Sequence, residues 1–167
     1  MFSIFDHLSG ACRVRLRRYI LNLKGKPDIS FISPNLGVGG VSSVRSLQKC
    51  GIQAVLDLRA EAKDDPNELQ KYSMEYMSIE IPDRGIPGLG YAAKATMWIK
   101  SNIDQGKKVF VHCNLGRGRG PLLIVTYLVS QGIKCDEAIK HVKTVRPYSY
   151  FNKKQLQWIH EFENRKN

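Results

Sequence analysis

The chain has 167 residues, 43% of them apolar and 25% charged, enough for one domain with its own core and too apolar for a disordered chain. Lys and Arg number 26 against 15 Asp and Glu, and the net charge of +11 favours anionic partners such as phosphorylated substrates, anionic membrane or nucleic acid. No apolar run reaches the ~18 residues of a membrane span, and the N-terminus lacks the basic-then-apolar order of a secretory signal, so a cytoplasmic location is expected.

Taken in order, residues 2–23 carry Phe5, Leu8, Cys12, Leu16, Tyr19, Ile20 and Leu23 at helical spacing, with arginines on much of the other face. Such a basic amphipathic helix either packs its apolar stripe on the domain or lies on an anionic bilayer, and both readings stay open. Residues 1–25 are therefore set apart from a domain over 26–167. Ile29 to Ile32 reads as a strand and Asn35 to Gly40 as a glycine-rich turn. Ser42 or Ser43 can cap a helix running to about Cys50, with Gly51 closing it. Ala54 to Leu58 is a strand, and Glu61 to Asn67 is a polar loop broken by Pro66, with a short helix after it. Tyr76 to Ile81 is a strand, followed by a loop dense in breakers from Pro82 to Gly88. A helix over Ala92 to Ile103, a strand over 108–112, and helices at about 120–131, 135–144 and 153–163 complete the chain. Strands alternating with helices imply a single α/β domain whose central, mostly parallel sheet is flanked by helices.

One stretch can hold chemistry: His112-Cys113-Asn114-Leu115-Gly116-Arg117-Gly118-Arg119, between the strand at 108–112 and the next helix. A tight loop there aims backbone N–H groups and a helix N-terminus at a small anion, and the same donors favour a thiolate at its base. In parallel sheets, ligands sit beyond the carboxyl ends of the strands, where this loop and Asp83 both fall. Cys12, Cys50, Cys113 and Cys135 are scattered without a C-x-x-C pair and read as free thiols. No spacing suits zinc, and neither a metal nor another cofactor is expected.

H-C-x-x-G-x-x-R resembles the signature of the cysteine-dependent protein tyrosine phosphatase superfamily, and in particular its compact dual-specificity branch. The resemblance runs from about residue 29 to 163. It takes in Ile32-Ser33-Pro34-Asn35-Leu36-Gly37, the strand from Gly51 to Leu58, Asp83 thirty residues before Cys113, and Arg146-Pro147 followed by Gln155-Leu156. It implies that Cys113 is the nucleophile and that Arg119 clamps two phosphate oxygens. Asp83 would be the general acid, Asn114 to Arg119 would bind phosphate, and His112 would orient the loop. Asp57 and Arg59 form a structural pair or shape the pocket rim, and neither is read as catalytic. Where most of the family has Ser or Thr after the arginine, this chain has Gly120, removing a donor to the departing thiolate. Some glucan-phosphatase relatives likewise have a small apolar residue followed by proline.

The substrate implied is a phosphorylated protein, with a phosphoinositide or other lipid as the alternative because Arg117 adds a second charge to the loop. Glucan and RNA 5′-phosphates are further substrates known among relatives. Residues 1–25 offer a peripheral membrane contact, no nucleic-acid partner is expected, and the chain reads as a monomer. Two rival classes stand beside the enzyme. One is a non-catalytic phospho-binding module, of which Gly120 would be the mark; the other is a sulfur-transferase relative, whose cysteine loop need not end in this arginine.

Overall fold

The computed structural model describes residues 10–165, arranged around one five-stranded sheet. The strands are β1 (Ile29–Ser33), β2 (Leu36–Gly39), β3 (Ala54–Arg59), β4 (Glu75–Ile81) and β5 (Val109–His112). They lie in the order β1-β2-β5-β3-β4, with β1 antiparallel to β2 and every other pairing parallel. The helices are α1 (Gly10–Leu23), α2 (Val44–Lys49), α3 (Pro66–Lys71), α4 (Leu89–Asp104), α5 (Arg119–Ser130), α6 (Cys135–Val145) and α7 (Lys153–Asn164).

Side-chain alternation along the strands divides the core between the two faces. Val109 and Val111 of β5, with Ala54, Leu56 and Leu58 of β3, join the larger core built with α4, α5, α6 and α7. Phe110 and Val55 point the other way, against Leu47 of α2 and Leu69 of α3. α5 is buried from Arg119 through Val129, which explains why its sequence is apolar all round rather than striped. β5 is central, so the loop that follows it opens in the middle of the sheet's carboxyl edge.

Local chemistry sets the shorter elements. Ser43 caps α2 by accepting from the Ser46 N–H, and Gly51 takes φ +74° just past it. The neighbouring Ser42 instead accepts from the Asp28 N–H at 3.0 Å. Asn152 and Gln155 close a capping box at the start of α7.

Three expectations need correction. The glycine-rich stretch read as a turn contains β2: its glycines are demanded by close approach, since a Cβ on Gly39 would overlap the Asp28 carbonyl. Pro66 does not break a loop but opens α3 behind the Asp65 cap, the position where its missing N–H costs nothing. In α1 the expected apolar stripe is not the packed face: Val14 is buried, whereas Cys12, Tyr19, Ile20 and Leu23 are exposed. Phe5 and Leu8 of that stripe lie outside the described residues.

Candidate active site

The loop from Cys113 to Gly118 is held from behind. Its Asn114 carbonyl accepts from the Val41 N–H at 3.1 Å and from Arg18 Nη1 at 2.9 Å. Arg146 donates to the Gly116 carbonyl at 2.5 Å and to that of Leu115 at 3.2 Å. The Tyr150 N–H takes the Arg117 carbonyl at 2.8 Å. With four successive carbonyls turned outward, the N–H groups of 115–118 on the opposite side of the same peptides face inward, and among the described residues none of them donates to another group. That is an anion cradle made of main chain. Gly116 is essential to the turn: its φ is +61°, and a Cβ there would overlap the backbone of Gly39.

Cys113 sits buried at the base of this cradle, at the carboxyl end of β5. Arg119, in the first turn of α5, is 2% exposed and returns its guanidinium toward the loop. Nη1 and Nη2 each donate to one oxygen of Glu61 at 2.6 Å, and Nη1 also donates to the Ile81 carbonyl at 2.9 Å. A guanidinium has five N–H donors. Three are spent here, which leaves Nε–H and the second Nη2–H, the parallel pair along one edge that grips two oxygens of a phosphate. Glu61 therefore aims the clamp without filling it. The hydrogen bond from Arg119 holds the Glu61 carboxyl down at about 2. Burial acts to lower the Arg119 pKa, but the Glu61 hydrogen bond and the charges of Cys113, Glu61 and Asp83 together outweigh it, and the net shift is upward.

Asp83 stands on the rim, its side chain 75% exposed and Oδ1 3.5 Å from Arg119 Nη2. Its loop is tied down just past it by the start of α7: Arg84 has φ +57°, Asn152 donates to the Arg84 carbonyl at 2.9 Å, and Gln155 donates to that of Gly85 at 3.0 Å. An exposed carboxyl facing the cleft from a fixed turn can hand a proton to a leaving group there. Arg117 lines the same cleft but is drawn to its edge, donating to the Tyr148 carbonyl at 3.3 Å and lying 5.1 Å above the Tyr150 ring. The cleft has a volume of about 910 Å³, and Ala11 and Arg15 of α1 form part of its wall.

His112 lies beneath the loop, stacked on Phe110, with Nε2 2.9 Å from Asp64 Oδ2 and 3.9 Å from Asp57 Oδ1. Asp57 and Arg59 are a buried bidentate pair, at 2.9 and 2.8 Å, and Arg59 also reaches Asp64 at 2.5 Å. Burial pushes the Asp64 pKa up, but His112 and Arg59 outweigh it and the net shift is down. The grouping of Asp57, Asp64 and His112 has the donor types of a metal site. Arg59 already supplies the cation between its carboxylates, so this donor set does not fit a metal ion. Cys135, buried under α7, has its thiol pushed up to about 11 by desolvation, as expected of a packing residue.

Sequence reasoning brought Cys113, Arg119, Asp83 and the loop to one place but gave no role to Glu61, Arg146, Asp28 or Arg18. Arg146 is 1% exposed and, besides its loop contacts, pairs with Asp28 at 3.2 and 2.8 Å. Its only sequence signal was the Arg-Pro dipeptide.

A family model described as "Dual specificity phosphatase, catalytic domain" matches residues 36–165. Phosphatidylglycerophosphate phosphatase PTPMT2 of Arabidopsis thaliana is 29% identical over 123 residues, which is 71% of this chain and 54% of that protein. Dual specificity protein phosphatase 2 of Mus musculus is 33% identical over 107 residues, 63% of this chain and 32% of that one. The chain thus spans about half and about a third of these curated relatives. Among solved structures, Tk-PTP in the active form superposes with a TM-score of 0.76 at 28% identity, covering 83% of this chain and 98% of that one.

Proposed function

The chain belongs to the family of dual-specificity phosphatase catalytic domains, and from that premise we propose that it hydrolyses phosphomonoesters through a phosphocysteine intermediate. The observation that carries the proposal is the cradle of inward N–H groups with Cys113 at its base and one edge of Arg119 unspent. A phosphoryl group seated there has its equatorial oxygens on those donors and its phosphorus over the sulfur. The Cys113 thiolate attacks phosphorus in line with the ester oxygen, and the P–O bond breaks as the S–P bond forms. Asp83 gives its proton to the leaving oxygen, then takes one from the water that cleaves the S–P bond and restores the thiolate.

The favoured substrate is a phosphorylated protein, a reading supported by the similarity to a protein named dual specificity protein phosphatase 2. A lipid phosphomonoester is the second reading, favoured by the similarity to a protein named for phosphatidylglycerophosphate and by Arg117 at the cleft. A cytoplasmic setting suits a nucleophile that must stay reduced. Turnover of a small aryl phosphate by the wild type, Cys113→Ser and Asp83→Ala tests the chemistry. Cys113→Ser is expected to abolish turnover. Asp83→Ala is expected to lower kcat by ~10²-fold or more with poor leaving groups and less with good ones. A wild type that binds phosphate analogues but never turns over would make it a binding module instead.

A further inference from the structure

α1 meets the domain through buried Val14 with Arg17 and Arg18 around it and Leu21 half-buried, and it turns most of its apolar stripe outward, with Leu16 half-buried. Val14 is buried, Arg18 donates to the Asn114 carbonyl at 2.9 Å, and Arg17 Nε lies 3.8 Å from Asp28 Oδ1. At the first turn Gly10 lies so close to Arg117 that a Cβ would stand 2.7 Å from Nη2. At 100° per residue, Cys12, Leu16, Tyr19, Ile20 and Leu23 fall within one arc of about 100° opposite Val14. Tyr19 is 61% exposed and Leu23 71%, and Ile20 is exposed between them.

Water is a poor solvent for such a stripe, and its flanks say what covers it. Arg15 is exposed beside it, Lys24 and Lys26 are exposed just past its C-terminal end, and no carboxylate occurs between Gly10 and Pro27. Two copies of this chain meeting through the stripe would set these cations face to face, which like-charge repulsion opposes. We propose that α1 docks on an anionic lipid surface, with the apolar stripe entering the headgroup boundary and the flanking cations meeting lipid phosphates. Tyr19, apolar in its body and polar at its tip, suits that depth. The domain stays anchored to the other face of the helix through Arg17 and Arg18. Arg15, at the edge between the two faces, lines the catalytic cleft, so docking brings the mouth of the cleft to the lipid headgroups.

The test is co-sedimentation of the full chain with vesicles of phosphatidylcholine alone or mixed with phosphatidylserine. The wild type is expected to bind only the mixed vesicles, and to release them as salt rises. Ile20→Asp combined with Leu23→Asp is expected to cut the partition at least about tenfold, with thermal melting showing the fold retained. Should that variant melt early, Lys24→Glu with Lys26→Glu tests the electrostatic half and is expected to weaken binding likewise. No vesicle binding by the wild type, or equal binding by the stripe variant, overturns the proposal. So does a stripe that mediates only self-association or capture of an acidic protein. None of these readouts depends on hydrolysis, so failure here leaves the phosphatase reading standing, and the reverse holds as well.

Discussion

Arg146→Met keeps an unbranched apolar stem and removes the guanidinium with its charge and donors. The loss falls on two places at once. The Asp28 carboxylate, fully buried, is left with Arg17 at 3.8 Å as its one cation among the described residues, and the carbonyls of Leu115 and Gly116 lose their donor. Breaking a buried ion pair by removing one partner costs ~3–5 kcal/mol. For a domain of this size each kcal/mol is worth roughly 2–4 °C, so Tm should fall by about 10 °C. Asp28→Asn should also destabilise, but the double variant should cost less than the sum of the singles by about 2 kcal/mol or more, because neither charge is then stranded. Turnover separates the two roles. Arg146→Met should lower kcat/KM by ~10²-fold or more, since the loop can then rotate its carbonyls inward toward the anion. Asp28→Asn should act mainly on stability. Thermal and urea unfolding of the four proteins, with aryl phosphate kinetics on each, make the cycle complete. A coupling energy near zero, or wild-type kcat/KM in Arg146→Met, would refute the idea that this arginine holds the cradle open.

Gly120→Ser restores a hydroxyl at the start of α5, where its Cβ would lie 3.9 Å from the Cys113 N and 3.1 Å from Val38 Cγ2. It is expected to speed phosphoenzyme breakdown about tenfold or more at a small cost in Tm, read by burst kinetics; an unchanged burst and steady rate would contradict it. Glu61→Gln should lower kcat/KM about tenfold by letting the Arg119 fork swing, with a modest loss of Tm at neutral pH because the Glu61 side chain is 43% exposed and solvent screens the pair. Since Glu61 is depressed from its ordinary 4.5 to about 2, its contribution is present above pH 4.5 and lost as pH falls through about 2. The Tm difference between wild type and Glu61→Gln should therefore be flat from pH 5 to 8 and shrink below pH 4. A difference that grows in acid would show that the pair does not exist as drawn.

The residues proposed as nucleophile, clamp and acid could be brought to one place from the sequence because each belongs to a local pattern. Cys113 and Arg119 share one strand–loop–helix turn, and Asp83 ends a strand at the same sheet edge. Its supports were not, because they act across the chain. Arg146 reaches Asp28 over 118 positions and Arg18 reaches Asn114 over 96. Glu61 sat in what read as a polar loop, where a lone acid announces nothing. The glycines of β2 were misread for the same reason. Gly39 is small because the Asp28 backbone passes against it, a constraint set by packing rather than by its neighbours in sequence. For α1 the periodicity was legible, but which face meets the domain was not. An apolar stripe says that a helix has two faces, but the domain recruits the one carrying Arg17 and Arg18 because its loop carbonyls and Asp28 need donors.

The way the loop is held has a consequence for when it can exist. Its four carbonyls are fastened by α1, by the segment after β2, by Arg146 beyond α6 and by Tyr150 before α7. No single hairpin or βα unit contains them, so loop closure over most of the chain must precede the cradle. A partly folded chain can present Cys113 and Arg119 and still have no pocket for phosphate. The proposed activity is therefore a property of the finished fold, and a nascent chain carries the Cys113 thiol before it has the cradle above it.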